Sequence, residues 1–409
     1  MEDKKKVLSF VADVGHTLLE NGAEIFRVEE TMARVSEHYG AGDSDFFVLS
    51  NGIFTTGDSY AKSEYIPIRG SRLDKVVDVN QLSRDIVAQD LPLEEAISRL
   101  EAIKNKASRP IWVRLLSAML GCSAFCIIFG GGLADCMVCM ATAILLCLFM
   151  VFFADRYFTK TLSNLLGGML GTLLCIFLYS SGLGSSLPNM IVGTMILLIP
   201  GVAFTNGLRD ISNEDYLSGS TRLVDALVVF FCIALGVCLA FIIQGAVSDG
   251  LVVLHGPKTN PVTACYPFQL AAAFIGTTFF AILFGSPYRN SLLCGAVGMF
   301  GWLAFLLVTR LTDTGVVLGT FIAAVLVAVL SRAAARIQQC PEIVYPVCGI
   351  FPLIPGGGVF WSSYFLVSGQ LHLALSSGFT AVKITIAIVF GIIVADNVIW
   401  RRKAFPYTR

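Results

Sequence analysis

From Pro110 onward the sequence is apolar almost without interruption, and that single fact removes most folds from consideration. A helix needs roughly 20 apolar residues to cross a bilayer. Ten such stretches follow one another, at about 111–130, 133–153, 162–180, 187–205, 222–244, 264–284, 290–309, 314–331, 342–367 and 375–399. Over the whole chain 55% of residues are hydrophobic and 14% charged, where a soluble domain carries about 25% charged residues. The charge is concentrated in residues 1–108, which read as ordinary polar sequence. The expected architecture is a mostly α membrane protein with ten transmembrane helices, preceded by a small α+β cytoplasmic domain.

Orientation follows from basic residues in short loops. One side of the membrane collects Lys104, Lys106, Arg109, Arg114, Arg156, Lys160, Arg209, Arg222, Arg289, Arg332, Arg336, Arg401, Arg402 and Lys403, while the other has little more than Lys258, Arg310 and Lys383. Both termini are therefore expected in the cytoplasm of a multi-pass cell-membrane protein. The opening "MEDKKKVLSF" has basic residues but no long apolar core, so no signal peptide is expected.

Two helix breaks stand inside apolar runs: "LLIPG" at Leu197–Gly201 and "PLIPG" at Pro352–Gly356. Proline removes a backbone donor and clashes with the preceding turn. The two are 155 residues apart, and "RLLSAMLGCSAFCIIFG" (Arg114–Gly130) matches "QLAAAFIGTTFFAILFG" (Gln269–Gly285) at the same offset, as do Gly236 and Gly391. Three regions on one offset indicate a duplication. Five spans separate equivalent points, so the second copy enters the membrane inverted. The expected parts are 1–108, a first five-span repeat at 109–250 and a second at 251–409. Inverted repeats with broken helices at their interface are a common build of secondary transporters, because freed backbone groups at membrane depth are tolerated only against protein or a wet cavity.

The residues beside the breaks suggest the chemistry. Pro200, Gly201, Thr205, Asn206 and Arg209 on one side, and Pro355, Gly356, Gly357 and Gly358 on the other, are expected along a substrate pathway. Arg209, adjacent to Asp210, need not pair with it and could hold a substrate carboxylate; a solvated loop is the plain alternative. Asp210, Asp225 and Lys383 are candidates for proton coupling or an ion-pair switch, since an intramembrane carboxylate is expensive without a partner. Arg222, three residues before Asp225, could neutralise it, Lys383 could snorkel to the surface, and Asp396 is expected to pair with Arg401 and Arg402. "CMVC" (Cys136–Cys139) has zinc-like spacing but no second pair to complete four ligands, so no metal is expected.

The first quarter reads as two helices, three short strands within "DFFVLSNGIFTTGDSYAKSEYIPIR", then helices at about 73–88 and 93–106, the last with Asp90 as a candidate cap. Glu24 and Arg27 have helical ion-pair spacing. His16, Glu20, Glu24 and Ser50 are residues of catalytic type in no spacing that demands catalysis. Neither a Walker motif nor a basic patch for nucleic acid is present, and no cofactor is expected.

"LLENGAEIFRVEETM" (Leu18–Met32), which holds Glu20, Gly22, Glu24, Arg27 and Glu29, resembles the opening signature of the threonine/serine exporter family. "LIPGVAFTNGLRDISNEDYLSGSTRLVDAL" (Leu198–Leu227) is similar to that family's fourth and fifth spans, and "FGSPYRN" and "CPEIVYPVCGIFPLIPGG" resemble its second module. The resemblance implies a non-enzymatic exporter of small amino acids driven by the proton-motive force, with substrate, protons and lipid as its partners and a homo-oligomer allowed. It leaves a dicarboxylate (succinate) exporter open. A membrane-anchored enzyme or sensor working through residues 1–108 is the rival from another class.

Overall fold

A computed structural model of the chain describes residues 2–57, 60–67, 70–248, 250–254, 259–312 and 315–396. Lys258, Arg401, Arg402 and Lys403, counted above for orientation and pairing, lie outside the described residues.

In the first quarter, α1 (Glu2–Glu20) and α2 (Ile25–His38) pack against a three-stranded antiparallel meander of β1 (Asp45–Leu49), β2 (Gly52–Gly57) and β3 (Tyr60–Tyr65). Helices α3 (Leu73–Gln89) and α4 (Leu93–Lys104) complete the unit. Val11, Val14 and Leu18 from α1 meet Val28, Met32 and Val35 from α2 in one buried cluster with Val48, Ile53, Val76 and Ile86. Asp90 does not cap α4: it ends α3 in a left-handed conformation (φ 50°), and Pro92 stands at the start of α4. A proline there loses nothing, because the first helical N–H groups have no partner anyway.

Eight of the following helices are long and apolar enough to cross a membrane. The first three are α5 (Ile111–Ile128); α6 (Leu133–Phe149), continued by a π-helical turn Met150–Ala154 and the short α7 (Asp155–Tyr157); and α8 (Lys160–Ser180). After α9 (Leu187–Met195) and α10 (Gly201–Ser212) come α11 (Tyr216–Val247), α12 (Tyr266–Leu283), α13 (Tyr288–Leu311) and α14 (Gly315–Gln338). Then follow α15 (Val344–Gly349), α16 (Gly356–Val367) and α17 (Leu371–Val394). Among the described residues the eight are α5, α6, α8, α11, α12, α13, α14 and α17. The fourth and ninth expected spans are not straight helices. Leu187–Leu198 and Gly201–Ser212 meet at 64°, and Val344–Leu353 and Gly356–Val367 at 45°, which brings the count to ten if each bent pair is one span.

The offset seen in the sequence recurs in the elements. Helices α12, α13, α14, α16 and α17 begin 155 residues after α5, α6, α8, α10 and α11. Contacts between the copies are reciprocal along α5 and α12. A side chain on Gly121 would collide with Phe280, and one on its counterpart Gly276 would press on Phe125. Phe125 and Phe280, themselves counterparts, meet edge to face with centroids 5.2 Å apart. Gly236 of α11 and Gly391 of α17 each lie against backbone of the helix three before them, α8 and α14: a Cβ would fall 2.3 Å from the Leu165 carbonyl oxygen and 2.8 Å from that of Phe321. Only glycine allows that approach.

The first quarter is docked on helix ends in the second half of the chain. The Leu73 N–H donates to the Phe284 carbonyl (3.2 Å), Arg84 donates to Gln339 O (2.8 Å), and Arg109 donates to the carbonyls of Ile282 and Ser286.

Candidate functional site

The two breaks have the same backbone. A 3₁₀ turn (Ile196–Leu198; Phe351–Leu353) leads to an extended isoleucine, with φ −64°, ψ 129° at Ile199 and φ −64°, ψ 132° at Ile354. Pro200 (φ −80°, ψ 57°) and Pro355 (φ −77°, ψ 50°) then form the corner before a new helix starts at the glycine. In each, the glycine N–H closes back onto the isoleucine carbonyl at 2.8 Å, an inverse γ-turn that redirects the chain within one residue. The breaks also touch: Phe351 packs against Gly201, while Val192 and Ile199 pack near Gly356. Phe351 is in turn stacked on Phe284 (5.4 Å) and close to Phe280 (5.1 Å).

Beyond the first break, α10 buries Thr205, Asn206, Arg209 and Asp210. Positions i, i+3 and i+4 share a helix face, so Asn206, Arg209 and Asp210 point one way. They point at the α1–α2 corner of the first quarter. Arg209 pairs with Glu24 (Nη1–Oε1, 2.6 Å) and with Glu342 (Nη2–Oε1, 3.1 Å). Arg222, from α11, pairs with Asp210 (2.9 Å) and donates to the Ala23 carbonyl (3.0 Å). Asn206 Nδ2 donates to the Gly22 carbonyl (2.8 Å), and the Ile25 N–H donates to Asp210 Oδ1 (3.3 Å). Gly22 makes this corner possible, since its φ of 87° is one that side-chain-bearing residues rarely adopt. The network continues through Arg332, which reaches Glu342 (3.0 Å) and Asp396 (2.6 Å).

Glu24, Arg209, Glu342, Arg332 and Asp396 thus form one chain of ion pairs, and the Arg222–Asp210 pair joins it through the backbone of the Ala23–Ile25 corner. Glu24, Arg209 and Asp210 are each no more than 2% exposed. Charges so buried survive only in pairs. Burial pushes the Glu342 carboxyl up, but Arg209 and Arg332 outweigh it and hold it below the ordinary glutamate value.

Several sequence expectations are corrected by this arrangement. Glu24 pairs with Arg209, not Arg27, because the α1–α2 corner turns it toward α10. Arg209 does not stand free for a ligand; two carboxylates hold it. Arg222 serves Asp210 rather than Asp225, which is half exposed and paired with Lys160. Asp396 also pairs with Arg332, while its expected partners Arg401 and Arg402 lie outside the described residues. Lys383 lies exposed on α17.

The remaining candidates are spread out. Pro355 to Gly358 are half-buried at the start of α16, where Pro355 joins α11 and α17 in lining an apolar groove of about 550 Å³. Glu29 accepts from the Val48 N–H (3.1 Å), and burial pushes its carboxyl above the ordinary value. Glu20 and Arg27 are half-buried, with the Arg27 Nε unbonded. Among the described residues no group of three His, Cys, Asp or Glu could hold a metal. Glu342 escaped the sequence reading of the site; the signal was an acid at the start of an apolar run, opposite Arg332 at the end of the preceding one.

Known proteins resemble the chain over most of its length. A family model described as "Putative threonine/serine exporter" matches residues 9–244, and one described as "Threonine/Serine exporter, ThrE" matches residues 269–398. The threonine/serine exporter of Corynebacterium glutamicum is 21% identical over 98% of this chain and 84% of its own length. A protein of Mycobacterium tuberculosis named "Probable threonine/serine exporter" is 21% identical over 95% of this chain and 76% of its own length. The "Probable succinate transporter subunit YjjP" of Escherichia coli is 21% identical over 60% of this chain and 97% of its own length. No solved structure matches the chain.

Proposed function

The chain belongs to the threonine/serine exporter family of membrane transporters, and from that premise we propose that it is a secondary exporter of small hydroxy amino acids. In this reading residues 109–250 and 251–409 are two inverted halves, related by a pseudo-twofold axis in the membrane plane, and residues 1–108 lie in the cytoplasm with both termini. Rocking of one half against the other about the paired breaks alternates access to a central site. Arg209 takes the substrate carboxylate, Asp210 its ammonium group and Asn206 its hydroxyl. The carboxylate in excess over the three arginines carries the coupling proton, because an uncompensated buried charge is costly.

The observation that carries the proposal is the contact of two identically built breaks, one of which leads directly into the polar face of α10. The test is uptake of labelled threonine into inverted vesicles holding the full chain. Saturable uptake stimulated by an imposed proton gradient is expected. Uptake without stimulation removes the coupling, and no saturable uptake removes the substrate class. A dicarboxylate substrate is the second reading, favoured by the convergence of Arg209, Arg222 and Arg332; competition by succinate but not by serine would select it.

A further inference from the structure

We propose that the corner Gly22–Ile25 is a tethered occupant of the substrate seat on α10 and acts as the inner gate. The inference rests on the reading of Asn206, Arg209 and Asp210 as substrate contacts, and it adds what fills that seat when substrate is absent. Each polar feature of a free amino acid has a stand-in on the corner. The Glu24 carboxylate lies on Arg209 at 2.6 Å, where a substrate carboxylate would lie. The Ile25 N–H donates to Asp210 Oδ1 at 3.3 Å, where an ammonium group would donate. The Gly22 carbonyl accepts from Asn206 Nδ2 at 2.8 Å.

Asn206 Oδ1 is buried without a hydrogen-bond partner. Once the corner leaves, that amide offers its unpartnered carbonyl oxygen and the N–H that Gly22 had held, the complement of a hydroxyl, which both gives and takes a hydrogen bond. A serine or threonine side chain therefore satisfies an atom that the corner leaves unsatisfied. The other charges facing the seat stay in place: Glu342 on Arg209, and Arg222 on Asp210.

The exchange is obligatory in energetic terms. Withdrawing the corner alone strips Arg209 of one of its two carboxylates and leaves buried charge unbalanced. Entry of a zwitterion replaces the lost carboxylate and the lost donor together. Opening of the gate is thus tied to arrival of cargo from the cytoplasm, and an empty seat does not persist as a leak. The ligand's apparent affinity is reduced by the fraction of molecules with the corner in place.

Titration calorimetry of L-threonine into the purified full-length protein tests this. Glu24→Gln removes the competing carboxylate, and Gly22→Ala strains the corner at a backbone angle that favours glycine. Both variants are expected to tighten the apparent Kd, by about threefold or more, because they raise the open fraction. Unchanged or weaker binding in both folded, monodisperse variants overturns the gate. If Glu24→Gln does not fold, Gly22→Ala decides alone. Arg209→Gln separates the two claims: it is expected to abolish binding, and wild-type affinity there overturns the substrate-contact reading.

Discussion

Helices α10 and α16 follow the same break at the same offset, yet what they carry is opposite in kind. Thr205, Asn206, Arg209 and Asp210 in the first copy correspond to Phe360, Trp361, Tyr364 and Phe365 in the second. The backbone before them is superposable in its angles, so the bend is set by Pro-Gly and not by the side chains beyond it. The two segments share the hinge and differ in their faces. One face became a charged seat, the other an aromatic wall in which Trp361 stacks on Phe365 at 5.3 Å. A single correspondence survives at the far end. Arg209 holds the α1–α2 corner, whereas Tyr364 holds the segment joining the two copies, accepting from the Leu254 N–H (2.9 Å) and donating to Val252 O (3.1 Å).

That contrast can be broken experimentally at four points. The largest effect is expected from Arg209→Leu, which leaves Glu24 and, in part, Glu342 buried without a counter-charge. Losing one partner of a buried pair costs about 3–5 kcal/mol, to be read as a fall in the unfolding temperature together with loss of threonine export. Tyr364→Phe, at the equivalent position, removes two hydrogen bonds worth about 0.5–1.5 kcal/mol each; export persists with reduced thermal stability. If both variants lose export to the same degree, the division between a chemical and a structural half is wrong.

Asp225→Asn is expected to cost less than about 1 kcal/mol, because an exposed pair with Lys160 is screened by solvent. It should leave the pH dependence of transport unaltered, while Asp210→Asn should flatten it. The smallest effects are two opposed slopes of stability with pH. Glu342 is held below its ordinary value, so its contribution is present above the unfolded value of about 4.3 and is lost as pH falls through the lower folded value. Glu29 is raised, so its contribution is present in acid and is lost as pH rises through the higher folded value. Unfolding temperatures of Glu342→Gln and Glu29→Gln against wild type between about pH 3 and 6 should diverge in opposite directions.

The parts legible in the sequence are those encoded locally. Apolar runs gave the spans, and Pro200-Gly201 and Pro355-Gly356 gave the bends. Adjacency correctly argued against an Arg209–Asp210 pair. The true partners were hidden because they are remote: Glu24 lies 185 residues before Arg209, and Glu342 follows it by 133. Helical spacing proposed Glu24 with Arg27 and Arg222 with Asp225, and both proposals lost to tertiary contacts, since a buried acid must be matched in space, whatever its sequence neighbours. Lys160 reaches Asp225 because α8 and α11 run side by side, a pairing that no local pattern announces.

The ion network has a consequence for how the molecule is made. Arg209 takes one carboxylate from Glu24, synthesised well before it, and the other from Glu342, synthesised well after it, and Arg332 waits for Asp396 just beyond α17. A nascent chain halted after the fifth span is electrically incomplete at its centre. Insertion can proceed helix by helix, but the interior reaches its final balance only once Asp396 has been made.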